Sequence, residues 1–146
     1  MAFRSLKRKH VIRSAENYLR LLFAQVRAEV FDISDDETLH QIRKRLKSIR
    51  NVGHLLMELE TDFPLKEELQ KIAVTYEKIG QWHDMQELIV AIEKYVETLD
   101  DPAVLEMTAP LIITLKKRCI FDKQKIERRL KADLLLKDRS SLRFEP

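Results

Sequence analysis

The stretch that most limits what this chain can become runs from Leu39 to Leu56. Leu39, Ile42, Leu46, Ile49, Gly53 and Leu56 recur at steps of three and four, the spacing of one buried face of an α-helix. Threaded through it are His40, Arg43, Lys44, Arg45, Lys47, Arg50 and His54, and no acid occurs between Thr38 and Met57. At about 100° per residue, His40, Arg43, Lys47, Arg50 and His54 fall in one arc of roughly 80°, directly beside the apolar arc. These cations flank the core, where neighbouring helices hold them, and their row spans about 20 Å at about 1.5 Å per residue. A fixed row of positive charge suits a long anion; the bland alternative is a solvated face, as most charge runs are.

The rest of the chain repeats the helical pattern. Only two glycines and four prolines are spread through 146 residues, and Val, Ile and Thr fall in helical rather than alternating positions, so the expected class is all-α. Short connections between four helices imply an antiparallel four-helix bundle. One domain is expected over residues 1–137, with a flexible C-terminal tail at 138–146. No apolar run approaches the ~18 residues of a membrane span and the charged N-terminus precedes no apolar core, so a cytoplasmic protein is expected. The single cysteine, Cys119, has no intramolecular partner and sits at helical spacing with Leu115 and Ile126, as a core residue would.

Signals at the breaks place the helices. The first is expected from Arg4 to Val30, with Val11, Ala15, Tyr18, Leu19, Leu22, Phe23 and Val26 on its apolar face and Arg13, Arg20 and Arg27 on one side. Ser34 with Glu37 forms a capping-box pattern, so the second runs from about Asp35 to Thr61. Asp62 and Pro64 open the third. Its phase shifts beyond Gly80, which predicts a kink or local unwinding at Gly80 to Asp84. Asp100, Asp101 and Pro102 open the fourth, with a restart or kink at Pro110. Leu111, Leu115, Cys119, Ile126, Leu130 and Leu134 make its apolar side; Arg118, Lys125 and Arg129 share one edge, interrupted by Asp122.

Charge is unevenly distributed along this order. Residues 1–30 carry seven Lys and Arg against two acids, and residues 111–146 eleven against five, whereas residues 61–110 carry four against eleven. Basic helices thus alternate with an acidic third one, and a compact bundle would present a positive and a negative side.

Several chemistries find little support. Single-stranded nucleic acid asks for stacking aromatics among the cations, and the stripes contain none, with Tyr76 and Trp82 on the acidic third helix. His83-Asp84, with Glu87 one turn on, resembles the paired ligands of helical metal-dependent phosphohydrolases; the competing reading is a polar pair satisfied at the Gly80 kink. His10, His40 and His54 are the candidate further ligands, but His40 and His54 sit among cations that repel a metal. No phosphate loop or catalytic triad order appears, so no catalytic residue, metal or cofactor is assigned. Each apolar face is needed for the bundle, which leaves none for a membrane.

His40, Arg43, Lys44, Lys47 and Arg50, spaced H-x-x-R-K-x-x-K-x-x-R and followed by Leu55 and Leu56, resemble the signature helix of the CHAD domain, the conserved histidine α-helical domain. The segment Ile79-Gly80-Gln81-Trp82-His83-Asp84 is similar to that family's L-G-x-x-R-D stretch on the next helix. The resemblance covers most of residues 1–137. It implies a helical bundle that binds inorganic polyphosphate in a basic groove without catalysis, with His40, Arg43, Lys44, Lys47 and Arg50 as motif residues. His54, Arg13, Arg20, Arg118, Lys125 and Arg129 join them on the helical projections alone. Two departures stand out. The family pairs two four-helix halves, of which this chain supplies one, so a homodimer would restore the two-repeat groove. Also, His83 stands where arginine is usual, which would make that position sensitive to pH. A nucleic-acid-binding role, and behind it a phosphohydrolase of the His-Asp type, remain the alternatives.

Overall fold

A computed structural model of the chain describes residues 2–33, 35–60 and 65–134, with side chains from 4 to 133. Four helices follow one another: α1 (Ala2–Val30), α2 (Asp36–Leu59), α3 (Lys66–Leu99) and α4 (Pro102–Leu134). There is no strand among the described residues. α1 packs on α2, α2 on α3 and α3 on α4, while α1 touches α4 only lightly, and together they form a four-helix bundle. Along the α2–α3 seam Gly53 meets Leu69, Arg43 meets Gly80 and Asp36 meets Gln86. Residue numbers thus rise on one helix as they fall on the other, a progression that fits the antiparallel arrangement expected.

α2 forms as its pattern dictates. Asp35 caps it, its carboxylate accepting from the Glu37 amide at 3.0 Å, and Asp36 and Glu37 place negative charge where the helix dipole favours it. Ser34, the expected partner of Glu37, lies outside the described residues; the Glu37 side chain accepts from Gln41 at 2.9 Å. All six apolar-stripe residues are buried, each large one contributing about 1.5–3 kcal/mol. The helix ends at Leu59, two residues short of the Thr61 expected. Asp62 and Pro64 lie outside the described residues, as does the expected tail at 138–146.

α3 runs unbroken through Gly80 to Asp84, contrary to the unwinding expected there. The phase shift has another role. Before it, Leu69 meets α2; after it, Trp82 lines a cleft with Ile126 of α4, and Ile89 lines another with Cys119. The helix takes on α4 as a further partner without breaking, because a shifted stripe re-aims part of the buried face by rotation alone, while His83 and Gln86 still meet α2.

α4 is likewise continuous, with Pro110 inside it rather than at a restart. Its first turn is held by the Asp101 carboxylate, which accepts from the Ala103 amide at 3.0 Å. Proline removes one backbone donor within the helix, but the flanking turns remain helical and the Thr114 hydroxyl bonds the Pro110 carbonyl at 2.9 Å. Asp100 joins α3 to α4 in the left-handed conformation (φ 45°, ψ 40°), which aspartate tolerates better than most residues.

The core collects Leu19, Leu22, Phe23, Val26, the α2 stripe, Leu69, Ile72, Ile79, Trp82, Cys119, Ile126 and Leu130. Val11, Tyr18, Leu88 and Leu111, placed on buried faces by periodicity, are exposed. Val11 and Tyr18 lie on α1, which α4 covers only lightly. Leu88 and Leu111 belong to a part of α3 and α4 that extends past the start of α2. Among the described residues no helix is long and apolar enough to cross a membrane.

Candidate functional site: a cationic seam between α2 and α3

The two flanks of α2 meet different helices. Arg45 faces α1, bonding Glu29 at 2.7 Å and Gln25 at 2.9 Å. That pairing, the hydrogen bond first, raises the Arg45 pKa above its ordinary value. The opposite flank, carrying His40, Arg43 and Arg50, faces α3.

There the guanidinium carbons of Arg43 and Arg50 lie 4.7 and 4.6 Å from the Tyr76 ring centroid, within cation–π range. One turn along, Gly80 makes room for Arg43: a methyl group at this position would stand 3.1 Å from Arg43 Nη2. Further along still, the His83 ring stacks on His40, with centroids 5.6 Å apart and planes 26° apart. In the other direction Arg50, His54, Lys66 and Gln70 line a pocket of about 150 Å³. The seam is therefore lined by His40, Arg43, Arg50 and His54 from α2 and by His83 and Lys66 from α3.

None of Arg43, Lys44, Lys47 and Arg50 has a carboxylate within 4.0 Å among the described residues. Arg43 Nε and His40 Nδ1 are buried and make no hydrogen bond among the described residues. A buried polar group left without its hydrogen bond costs about 1–3 kcal/mol, and such groups call for an explanation. Lys44 and Lys47 are exposed on the solvent side of the row.

The remaining predicted cations are elsewhere. Arg118 and Lys125 line a groove of about 420 Å³ with Lys78, Gln81 and Trp82, on the side of α3 roughly 160° away from Tyr76, Gly80 and His83. Acids lie near two of this α4 row: Asp122 is 3.8 Å from Arg118 and Asp133 is 3.9 Å from Arg129. Lys125 lies over the Phe121 ring at 4.6 Å. Arg13 and Arg20 are exposed on α1, roughly 150° round that helix from the Gln25 and Glu29 that meet α2. Both act on Glu16, whose carboxyl is nonetheless pushed up, first by burial and then by Glu60. The rows of α1, α2 and α4 thus do not line one groove within a single chain, because periodicity fixes the face of each helix but not the side of the bundle to which that face turns.

Sequence reasoning also missed members of the seam. Tyr76 belongs between two arginines of the stripe, which corrects the expectation that no aromatic accompanies it, and Lys66 extends the row onto α3. The steps of four and three from Tyr76 to Gly80 to His83 were the available signal, since they share a helix face.

His83, Asp84 and Glu87 each offer a ligand atom within 4.8 Å of the others, the one such set among the described residues. His83 Nδ1 and Glu87 Oε1 are 3.8 Å apart and the glutamate is 70% exposed. All three lie on one helix, whereas a helical phosphohydrolase site takes ligands from several helices. No protein family, curated protein or solved structure matches this chain in comparisons of sequence and of fold.

Proposed function

We propose that the chain is a noncatalytic module that binds inorganic polyphosphate along the α2–α3 seam, as its resemblance to the CHAD domain implies. The observation that carries the reading is the convergence of its two motif segments: Arg43 and Arg50 gather at Tyr76, Arg43 rests by Gly80, and His40 stacks on His83. A polyphosphate chain offers about one charge per phosphate and no base to read. What it needs is a row of fixed cations, with arginine gripping two oxygens and lysine acting as a point charge. His40, Arg43, Lys44, Lys47, Arg50 and His54 supply such a row from α2, with Lys66 and His83 across the seam. In this reading Arg13, Arg20, Arg118, Lys125 and Arg129 attract the polyanion at longer range. A homodimer about a twofold axis would set a second row beside the first and restore the two halves that the family pairs.

Tyr76 favours this over nucleic acid. Two guanidiniums already lie against its ring, so it positions cations rather than offering a stacking face to a base. The test is a titration with long-chain polyphosphate beside an oligonucleotide of equal charge at two salt concentrations, repeated with Arg43, Lys47 and Arg50 all changed to alanine. Polyphosphate binds more tightly, weakens steeply with salt, and loses about a thousandfold in affinity in the triple variant while helicity is retained. Equal or stronger binding of the oligonucleotide, or undiminished binding by the variant, overturns the reading.

A further inference from the structure

α2 begins where Asp36 meets Gln86 of α3 and Lys123 of α4. Past that point α3 continues for 13 residues to Leu99, or about 20 Å, and α4 returns alongside it. Between Ile89 and Cys119 the one buried residue is Val96. Yet this is the most apolar part of the molecule: from Ala103 to Leu115 only Glu106 is charged. Helices apolar on all sides belong in an interior. Here Met107 is 80% exposed, Tyr95 65%, Ile120 61% and Ile113 54%, alongside Leu88, Val90, Leu99, Leu105, Leu111 and Phe121.

We propose that this α3–α4 hairpin is where two copies of the chain associate, each contributing two helices to a shared four-helix bundle. The amount of surface argues for it. Ten large apolar side chains about half exposed present on the order of 1,000 Å², at roughly 200 Å² apiece. A monomer's largest apolar patch is about 300–600 Å², and a standard interface takes about 800 Å² from each partner.

Its distribution argues for a second hairpin rather than a flat surface. Met107 and Ile113 lie on opposite flanks of α4, each about 120° from the Cys119 that is buried towards α3, so the exposed apolar surface wraps around the hairpin rather than forming one flat face. Charge points the same way: residues 88–117 carry five acids against three lysines, which opposes an anionic bilayer. The pairing uses no cation of the α2–α3 seam, so it stands whether or not that seam binds polyphosphate.

Sedimentation of the full chain over a wide concentration range tests this, beside the double variant Met107→Glu/Ile113→Glu. Both positions are exposed, and circular dichroism confirms that each protein is helical. The unaltered chain is a dimer, and the double variant weakens the dimer about a hundredfold or more. A monomer at every concentration overturns the proposal, including a monomer that cosediments with neutral phosphatidylcholine vesicles. So does a dimer that the double variant leaves intact.

Discussion

One helix carries the same residue type to two ends. On the α1 side of α2, Arg45 is neutralised, bonded to Glu29 and Gln25. On the α3 side, Arg43 and Arg50 rest on a tyrosine ring with no carboxylate within 4.0 Å among the described residues. A carboxylate partner consumes an arginine's charge to join two helices. An aromatic partner fixes its position and leaves the charge available outward, because a ring quadrupole attracts a cation without cancelling it. The difference separates a packing arginine from one placed to receive an anion.

The comparison breaks most visibly at Arg45. Arg45→Ala leaves the partly buried Glu29 without its guanidinium and lowers stability by about 1–2 kcal/mol, read as a lower midpoint in urea. Polyphosphate affinity stays within about twofold, since this charge is already spent. A loss of affinity comparable to that of the triple variant on the other flank would erase the distinction.

Gly80→Ala sharpens the comparison from the other side. Alanine is favoured over glycine in a helix interior by about 1 kcal/mol, and the atoms it meets are the movable end of Arg43. Stability therefore rises by up to about 1 kcal/mol, while affinity falls about threefold to tenfold as the guanidinium is pushed off its seat. Thermal melting and a binding titration on the same sample separate the two effects.

The smallest effect belongs to Asp36, where a charge again serves packing. The hydrogen bond from Lys123 holds its carboxyl below the ordinary range, aided by Gln86 and opposed by burial. A depressed folded-state pKa contributes stability that is present above about pH 4 and lost as pH falls through the lower folded value. Asp36→Asn flattens that acid limb of the stability curve, by less than about 1 kcal/mol because the carboxylate is more than half exposed. Unfolding midpoints measured from pH 7 to pH 2 report it.

Much of this was legible in the residues. The α2 stripe from Leu39 to Leu56 is buried at every position its spacing names, because strict helical periodicity beside an acid-free cationic arc leaves one orientation. Gly80 was legible as an irregularity but not as a seat for Arg43, since a missing side chain does not say which neighbour fills the space. Tyr76 was obscured by averaging: α3 is acidic as a whole, while its positions against α2 at Leu69, Tyr76, Gly80 and His83 are not. The exposure of Leu88 and Leu111 escaped periodicity for a related reason, in that an apolar stripe declares what it would bury against, not whether a covering helix reaches that far.

Each helix packs chiefly on the next one in sequence, and the turn from α3 to α4 takes only Asp100 and Asp101. Native neighbours are thus near in the chain before they are near in space, and little loop entropy is spent bringing them together. Low contact order of this kind goes with kinetics on the order of microseconds to milliseconds. The stripe that lines the seam therefore forms quickly, with its cations set in place as the core forms.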